Sequence, residues 1–213
     1  MKIIQPKEAH IDQYAGEIAD LMYATGPVTY DYQFHGRALF DLIIDASWRV
    51  PGTLFGHDGT TLAVNGNELL GIEVGFPGSE FKQRKKTLGP LWSPLIESGQ
   101  VSGDQLAKMG RRTYFASYLN VSIPGSVYYV HALSVKEPHR GKGIGQALMR
   151  NAIEAAKQAG LRGLHLDVLS DNPAVKFYRA LGMDCLTETT APHPLSHGVP
   201  MEMRMAMDFA PSA

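Results

Sequence analysis

Three observations predict an α/β domain built on a central mixed sheet. Strand-like runs rich in β-branched and aromatic residues, such as SVYYVHALSV (126–135), alternate with segments whose apolar residues recur every three or four positions. HRGKGIGQAL (139–148) sets three glycines between such a strand and such a helix. The chain has 213 residues, 44% of them hydrophobic, enough to bury a full core in one domain spanning 1–213.

The elements follow in order. Residues 2–5 read as a short strand closed by Pro6. Residues 8–24 carry Ile11, Ala15, Ile18 and Met22 on one helical face, and Thr25, Gly26 and Pro27 end that helix. TYDYQF (29–34) reads as an aromatic loop. A second helical pattern runs from 36 to 48, with Leu39, Leu42, Ile43 and Ala46 on one side. TLAVNGNELLGIEVGF (61–76) reads as a hairpin, because Asn65 and Gly66 both tolerate the positive φ of a tight turn. Residues 77–126 differ. Charged, helix-like pieces at 80–86 and 103–118 are broken by Gly89-Pro90, Ser93-Pro94 and Pro124-Gly125, the composition of a helical insertion or lid.

The strand 126–135 and the glycine loop come next. Ile144, Leu148, Ala152, Ala155 and Ala159 then form a helical stripe ended by Gly160. Residues 163–169 are another strand. Asn172-Pro173 has the form of a cap followed by proline in the first helical turn, and the helix stops at Gly182. Residues 183–190 and 201–207 read as final strands around a proline- and histidine-rich loop.

Composition narrows the function. Net charge is −1, from 20 basic and 21 acidic residues, so there is no general drive toward nucleic acid or an anionic membrane. Cys185 is the single cysteine and has no internal partner, and it is expected to pack in a strand. The opening MKIIQPKEAHIDQY is unlike a secretory signal, and no run of ~18 apolar residues occurs, so a cytoplasmic location is expected. His193 and His197 have H-x-x-x-H spacing without other ligand residues nearby, so no metal is expected.

The glycine loop carries the chemistry. Strand, glycines and helix start together make an anion site: the first helical N–H groups lack internal partners, the macrodipole favours negative charge, and glycine lets phosphate approach the backbone. No Lys-Ser or Lys-Thr pair follows the glycines, against an NTPase loop. Gln146 stands where a dinucleotide fingerprint needs its third glycine, and Asp167 is a poor match for that fingerprint's acid. Coenzyme A is the remaining class.

VKEPHRGKGIGQAL (135–148) resembles the acetyl-CoA signature R/Q-x-x-G-x-G/A of the GNAT superfamily of N-acetyltransferases, with Arg140, Gly143 and Gly145 at its defining positions. LDVLSDNPAVKFYRALGM (166–183) resembles the family's second signature. The resemblance implies a GNAT-like acyl-CoA N-acyltransferase fold, with a mixed, mostly antiparallel sheet flanked by helices. It implies acetyl transfer from the cosubstrate acetyl-CoA to a primary amine by direct attack. Residues 77–126 depart from the family's pattern, which joins the corresponding strands by a short turn.

Site residues follow from the same resemblance. Arg140, Gly141, Lys142, Gly143, Ile144, Gly145 and Gln146 would bind pyrophosphate, and the backbone of Leu133, Ser134 and Val135 would pair with the pantetheine arm. Asn172 reads either as a second pantetheine contact or as a helix cap. Tyr178 reads as the acid that protonates the departing thiolate, or as an aromatic packed beside Phe177. His131 titrates near neutrality when unperturbed and is the expected base, with a hydrogen-bonded core histidine as the competing reading. Alternation puts it on the face of Tyr129 and Leu133. Glu73, acting through water, is its rival. Tyr30, Asp31 and Phe34 fall in the segment that lines the family's acceptor site, where Asp31 is expected to hold a cationic amine. A non-catalytic CoA-binding sensor or regulatory module is the alternative from another class. Exposed C-terminal strands leave room for a homodimer.

Overall fold

The computed structural model describes residues 1–209; the last four lie outside it. Seven strands form one sheet: β1 (Lys2–Ile4), β2 (Thr60–Asn65), β3 (Glu68–Pro77), β4 (Val127–Val135), β5 (Gly163–Leu169), β6 (Asp184–Thr189) and β7 (Glu202–Asp208). Their spatial order is β1-β2-β3-β4-β5-β7-β6, antiparallel throughout except for the β4–β5 pair.

Helices α1 (Glu8–Tyr23), α2 (Pro27–Phe34) and α3 (Arg37–Trp48) precede the β2–β3 hairpin. Ile18, Met22, Phe40, Ile43 and Trp48 pack with Ile72, Val74 and Phe76 to make the larger core. Trp48 is fully enclosed because its one polar atom, Nε1, donates to the Ile11 carbonyl at 2.9 Å. The hairpin turns at Gly66, φ +60°, as Asn-Gly demands.

The segment read as an aromatic loop is helical. Pro27 starts α2, where a missing N–H costs nothing; Tyr30 and Phe34 then share the face toward the larger core, while Tyr32 packs on the other side with Ala116 and Leu119. Phe34 meets Phe40 edge-on at 5.2 Å, and Tyr30 lies 4.6 Å from Phe40. Eight residues with an apolar residue at nearly every second position show little helical period, so burial decided the conformation.

Three helices fill the span between β3 and β4: α4 (Phe81–Lys86), α5 (Trp92–Glu97) and α6 (Gly103–Ala116). A capping box starts α6: Ser102 Oγ accepts from the Gln105 N–H, and the Gln105 side chain accepts from the Ser102 N–H. Three arginines fasten this span to the rest. Arg84 bonds Asp58 at 3.0 Å, Glu80 at 2.9 Å and the Thr53 carbonyl at 3.1 Å. Arg112 donates to the Tyr32 carbonyl at 2.9 Å, and Arg204 of β7 donates to the carbonyls of Val121 and Ser122 at 2.9 and 3.3 Å.

On the other face of the sheet lies α7 (Ile144–Gln158), with Leu148 and Met149 fully buried. Two short helices complete the described residues, α8 (Ala174–Ala180) and α9 (Pro192–Leu195). Cys185 lies on the edge strand β6 but is exposed rather than packed. No helix among the described residues is long and apolar enough to cross a membrane.

Two irregularities shape the centre of the sheet. Strands β4 and β5 pair only over Val127–Val130 and Gly163–Leu166, then diverge. The β3–β4 register also shifts: Val74 faces Ala132, but Gly75 faces Val130, so His131 is an extra residue in the ladder. This bulge places His131 with Phe76 and Tyr129, while Leu133 packs with α7 residues on the opposite face. Strict alternation, which put His131 and Leu133 together, fails at that step.

Candidate active site

A cavity of about 1320 Å³ runs along the gap between β4 and β5. One end is the glycine loop. His139 Nε2 meets Glu68 at 2.9 Å, and Arg140 Nε donates to the Val135 carbonyl at 3.0 Å, tying the loop to the hairpin and to β4. Gly141 and Gly143 have φ of +74° and +78°, conformations that a side chain would strain by about 1–2 kcal/mol. Gly143 caps α7 without a side chain, and the first helical bond runs from the Ala147 N–H to the Gly143 carbonyl. The N–H groups of Ile144, Gly145 and Gln146 therefore point past the helix end without helical partners. All three residues line the cavity, as do Arg140, Gly141 and Gly143; Lys142 is exposed and does not.

The gap itself is lined by Leu133, Ser134, Val135 and Asn172. Lys136 N–H bonds the Leu70 carbonyl toward β3, so by alternation the backbone groups of Leu133 and Val135 point toward β5, which has moved away. The Val135 carbonyl is taken by Arg140, but the Val135 N–H and both groups of Leu133 form an edge of the kind that accepts an extended amide chain. Asn172 Oδ1 accepts from the Ala174 N–H at 2.9 Å, so the cap exists, and the residue also borders the cavity. Tyr178 sits on α8, 6% exposed, with its ring 5.3 Å from Phe177. Burial raises its pKa above the usual phenol value, so it holds its proton across the working pH range.

Beyond Tyr178 the walls become aromatic. Tyr30 and Phe34 line this chamber as expected, joined by Phe55, Phe81, Trp92 and Met109. Asp31 does not line it. The helical turn of α2 carries Asp31 outward, where it is exposed and accepts from Tyr23 Oη at 2.9 Å.

The two expected bases stand differently from their reading in the sequence. His131 lines the chamber, its ring 5.1 Å from Phe55 and 6.2 Å from Phe76. Its Nε2 is buried without a hydrogen-bond partner. Burial pulls its pKa down to about 4, with the charge of Asp167 opposing, so it is neutral and weakly basic at pH 7. Glu73 is fully buried opposite Leu133 and does not line the cavity. Tyr128 Oη donates to it at 3.2 Å, and burial pushes its carboxyl up to about 8 against the hydrogen bonds of Tyr128 and Thr61.

Sequence reading missed the polar end of the chamber. Asp167 takes two bonds from Arg204, at 2.5 and 2.8 Å, and one from Tyr129 Oη at 2.9 Å. Glu202 lines the cavity close by, its Oε2 accepting from Asn120 Nδ2 at 2.7 Å. No group of three or more His, Cys, Asp or Glu among the described residues is placed to hold a metal ion.

Comparison with known proteins bears on this geometry. The model of the Acetyltransferase (GNAT) family matches residues 106–183. Thialysine N-epsilon-acetyltransferase of Bos taurus is 35% identical over 86 residues, 40% of this chain and 49% of that protein. Streptothricin acetyltransferase of Streptomyces lavendulae is 43% identical over 54 residues, 25% of this chain and 29% of that protein. The chain thus spans less than half the length of the curated relatives it matches. An N-acetyltransferase structure from Staphylococcus aureus Mu50 superposes with a TM-score of 0.71 at 16% identity, covering 97% of this chain and 100% of that one, a likeness of fold.

Proposed function

We propose that the chain is a member of the GNAT acetyltransferase family, whose model matches residues 106–183, and that it moves an acetyl group from acetyl-CoA to a primary amine by direct attack. The observation that carries this reading is one cavity joining orphan helix N–H groups, an unpaired strand edge, a buried phenol and a separate chamber. The residues fit the cosubstrate, which supplies an activated thioester. The N–H groups of residues 144–146 suit pyrophosphate, and the Leu133 backbone suits the amide arm. A β4 N–H near Leu133 stabilises the developing oxyanion. As the C–N bond forms and the C–S bond breaks, Tyr178 gives its proton to the departing sulfur, and the proton released by nitrogen replaces it. Nothing in this scheme needs a covalent enzyme intermediate.

Calorimetry with acetyl-CoA, ATP and NAD, followed by thiol release over an amine panel, tests the proposal. Tight acetyl-CoA binding with no thiol release from any amine would favour the sensor reading. Preference for ATP or NAD would overturn the site assignment. His131 supplies a sharper arm. With its ionisation near 4, the imidazole is neutral from pH 6 to 9. The pH profile of kcat/KM over that range should therefore keep its shape in His131→Gln. A limb near neutrality that vanishes in the variant would restore His131 as the base.

A further inference from the structure

We propose that Glu202 receives the acceptor's ammonium group and takes its proton, and that the acceptor is a primary amine carried on an apolar body. This rests on the acetyl-transfer reading for its chemistry, but its geometry stands alone. Asp167 is neutralised by Arg204 and Tyr129, and the remaining Arg204 donors go to Val121 and Ser122. Glu202 has no such cation: among the described residues none forms an ion pair with it, and Asn120 is its one side-chain donor. The chamber therefore ends in a half-buried carboxylate that lacks a positive partner.

A second observation points to a ligand there. Two buried polar atoms of chamber-lining residues have no partner, His131 Nε2 and Thr29 Oγ1. Buried polar groups are ordinarily satisfied, so two orphans in one chamber mark where a bound molecule's polar atoms belong. The remaining walls, Phe34, Phe55, Phe81, Trp92 and Met109, offer apolar contact. The cations lining the cavity away from β7, Lys85, Lys86 and Arg140, stand on α4 and the glycine loop.

Burial also suits Glu202 to the proton transfer. Its carboxyl is pushed up to about 8, first by burial, then by the charge of Asp167, with Arg204 opposing. Tyr30 and Tyr129 also feel its charge, from α2 and β4. An ordinary carboxylate near 4 is too weak to deprotonate an alkylammonium; one near 8 closes most of that gap. An N–H bond of the ammonium breaks, an O–H bond forms on Glu202, and the freed lone pair makes the C–N bond. The proton on Glu202 then passes to solvent.

Glu202→Gln keeps shape and removes the base, with Glu202→Met as a second variant should the first not fold. In Glu202→Gln, acetyl-CoA affinity should stay within twofold, while kcat/KM for primary amines falls about 10²-fold and its pH limb near 8 disappears. Calorimetry with hexylamine and 1-hexanol gives a readout free of turnover. The parent should prefer the amine at least tenfold, and either variant should lose that preference. Equal preference in parent and variants, or kcat/KM within threefold across pH 6–9, overturns the role of Glu202. A parent that fails to bind acetyl-CoA sinks the acetyl-transfer reading instead, and the hexylamine comparison still decides on Glu202.

Discussion

Tyr178→Phe should lower kcat on the order of 10³-fold while leaving acetyl-CoA affinity within twofold, an effect within the usual range of general acid catalysis. The variant keeps the ring that packs with Val175, Met149 and Met203, so α8 should not move. Only the hydroxyl is lost. Burial alone raises its pKa, with no neighbouring charge among the causes, so the phenol keeps its proton at neutral pH. A thiolate forming in the same enclosed site is itself more basic than in water, which favours the transfer. Steady-state thiol release and calorimetry check the two halves. Equal turnover in variant and parent would leave Tyr178 a packing residue.

Arg204→Met should cost about 3–5 kcal/mol of stability, because it leaves the Asp167 carboxylate buried without its partner. The side chains of Arg204 and Asp167 are 2% and 6% exposed, so water cannot stand in. The change also removes the donors on Val121 and Ser122, in the segment that leads from α6 back to β4. The double variant Asp167→Leu, Arg204→Met should regain much of the loss, since no charge remains to desolvate. Urea unfolding measures both. A single-variant loss below about 1 kcal/mol would mean the pair relaxes to solvent.

What could be read from the sequence was what local rules determine. Glycines at a helix start, Asn-Gly at a hairpin and Asn-Pro before α8 act within a few residues, and the structure has each where the pattern put it. What depends on a distant strand was hidden. The His131 bulge exists only in register with β3, so no spacing within VHALSV announces it. Asp31 lies outside the chamber because the helical geometry of α2 turns it outward, and TYDYQF has too little helical period to announce that helix. Glu202 left a faint signal in MEMRMAM, where Glu202 and Arg204 alternate with Met203, Met205 and Met207. Charges at alternate positions are ordinary on a strand with one solvated face. They become informative only once β7 is seen between β5 and β6, where polar groups need partners.

The short parallel pairing of β4 and β5 has a consequence for cooperativity. Seven strands share one sheet, but the β4–β5 ladder that joins β1 to β4 with β5 to β7 has only four residue pairs, with Val130 and α7 packing across the join on one face. Such halves can open against each other at a cost below that of global unfolding. An extended ligand hydrogen-bonded along the free edge of β4 would stitch them. Amide exchange at Leu133 and Val135 should therefore be fast in the free protein and slow with acetyl-CoA, while the centre of β3, paired on both sides, changes little. Under the proposed acetyl transfer, the protein would gain its full rigidity from its cosubstrate and lose it again at each product release.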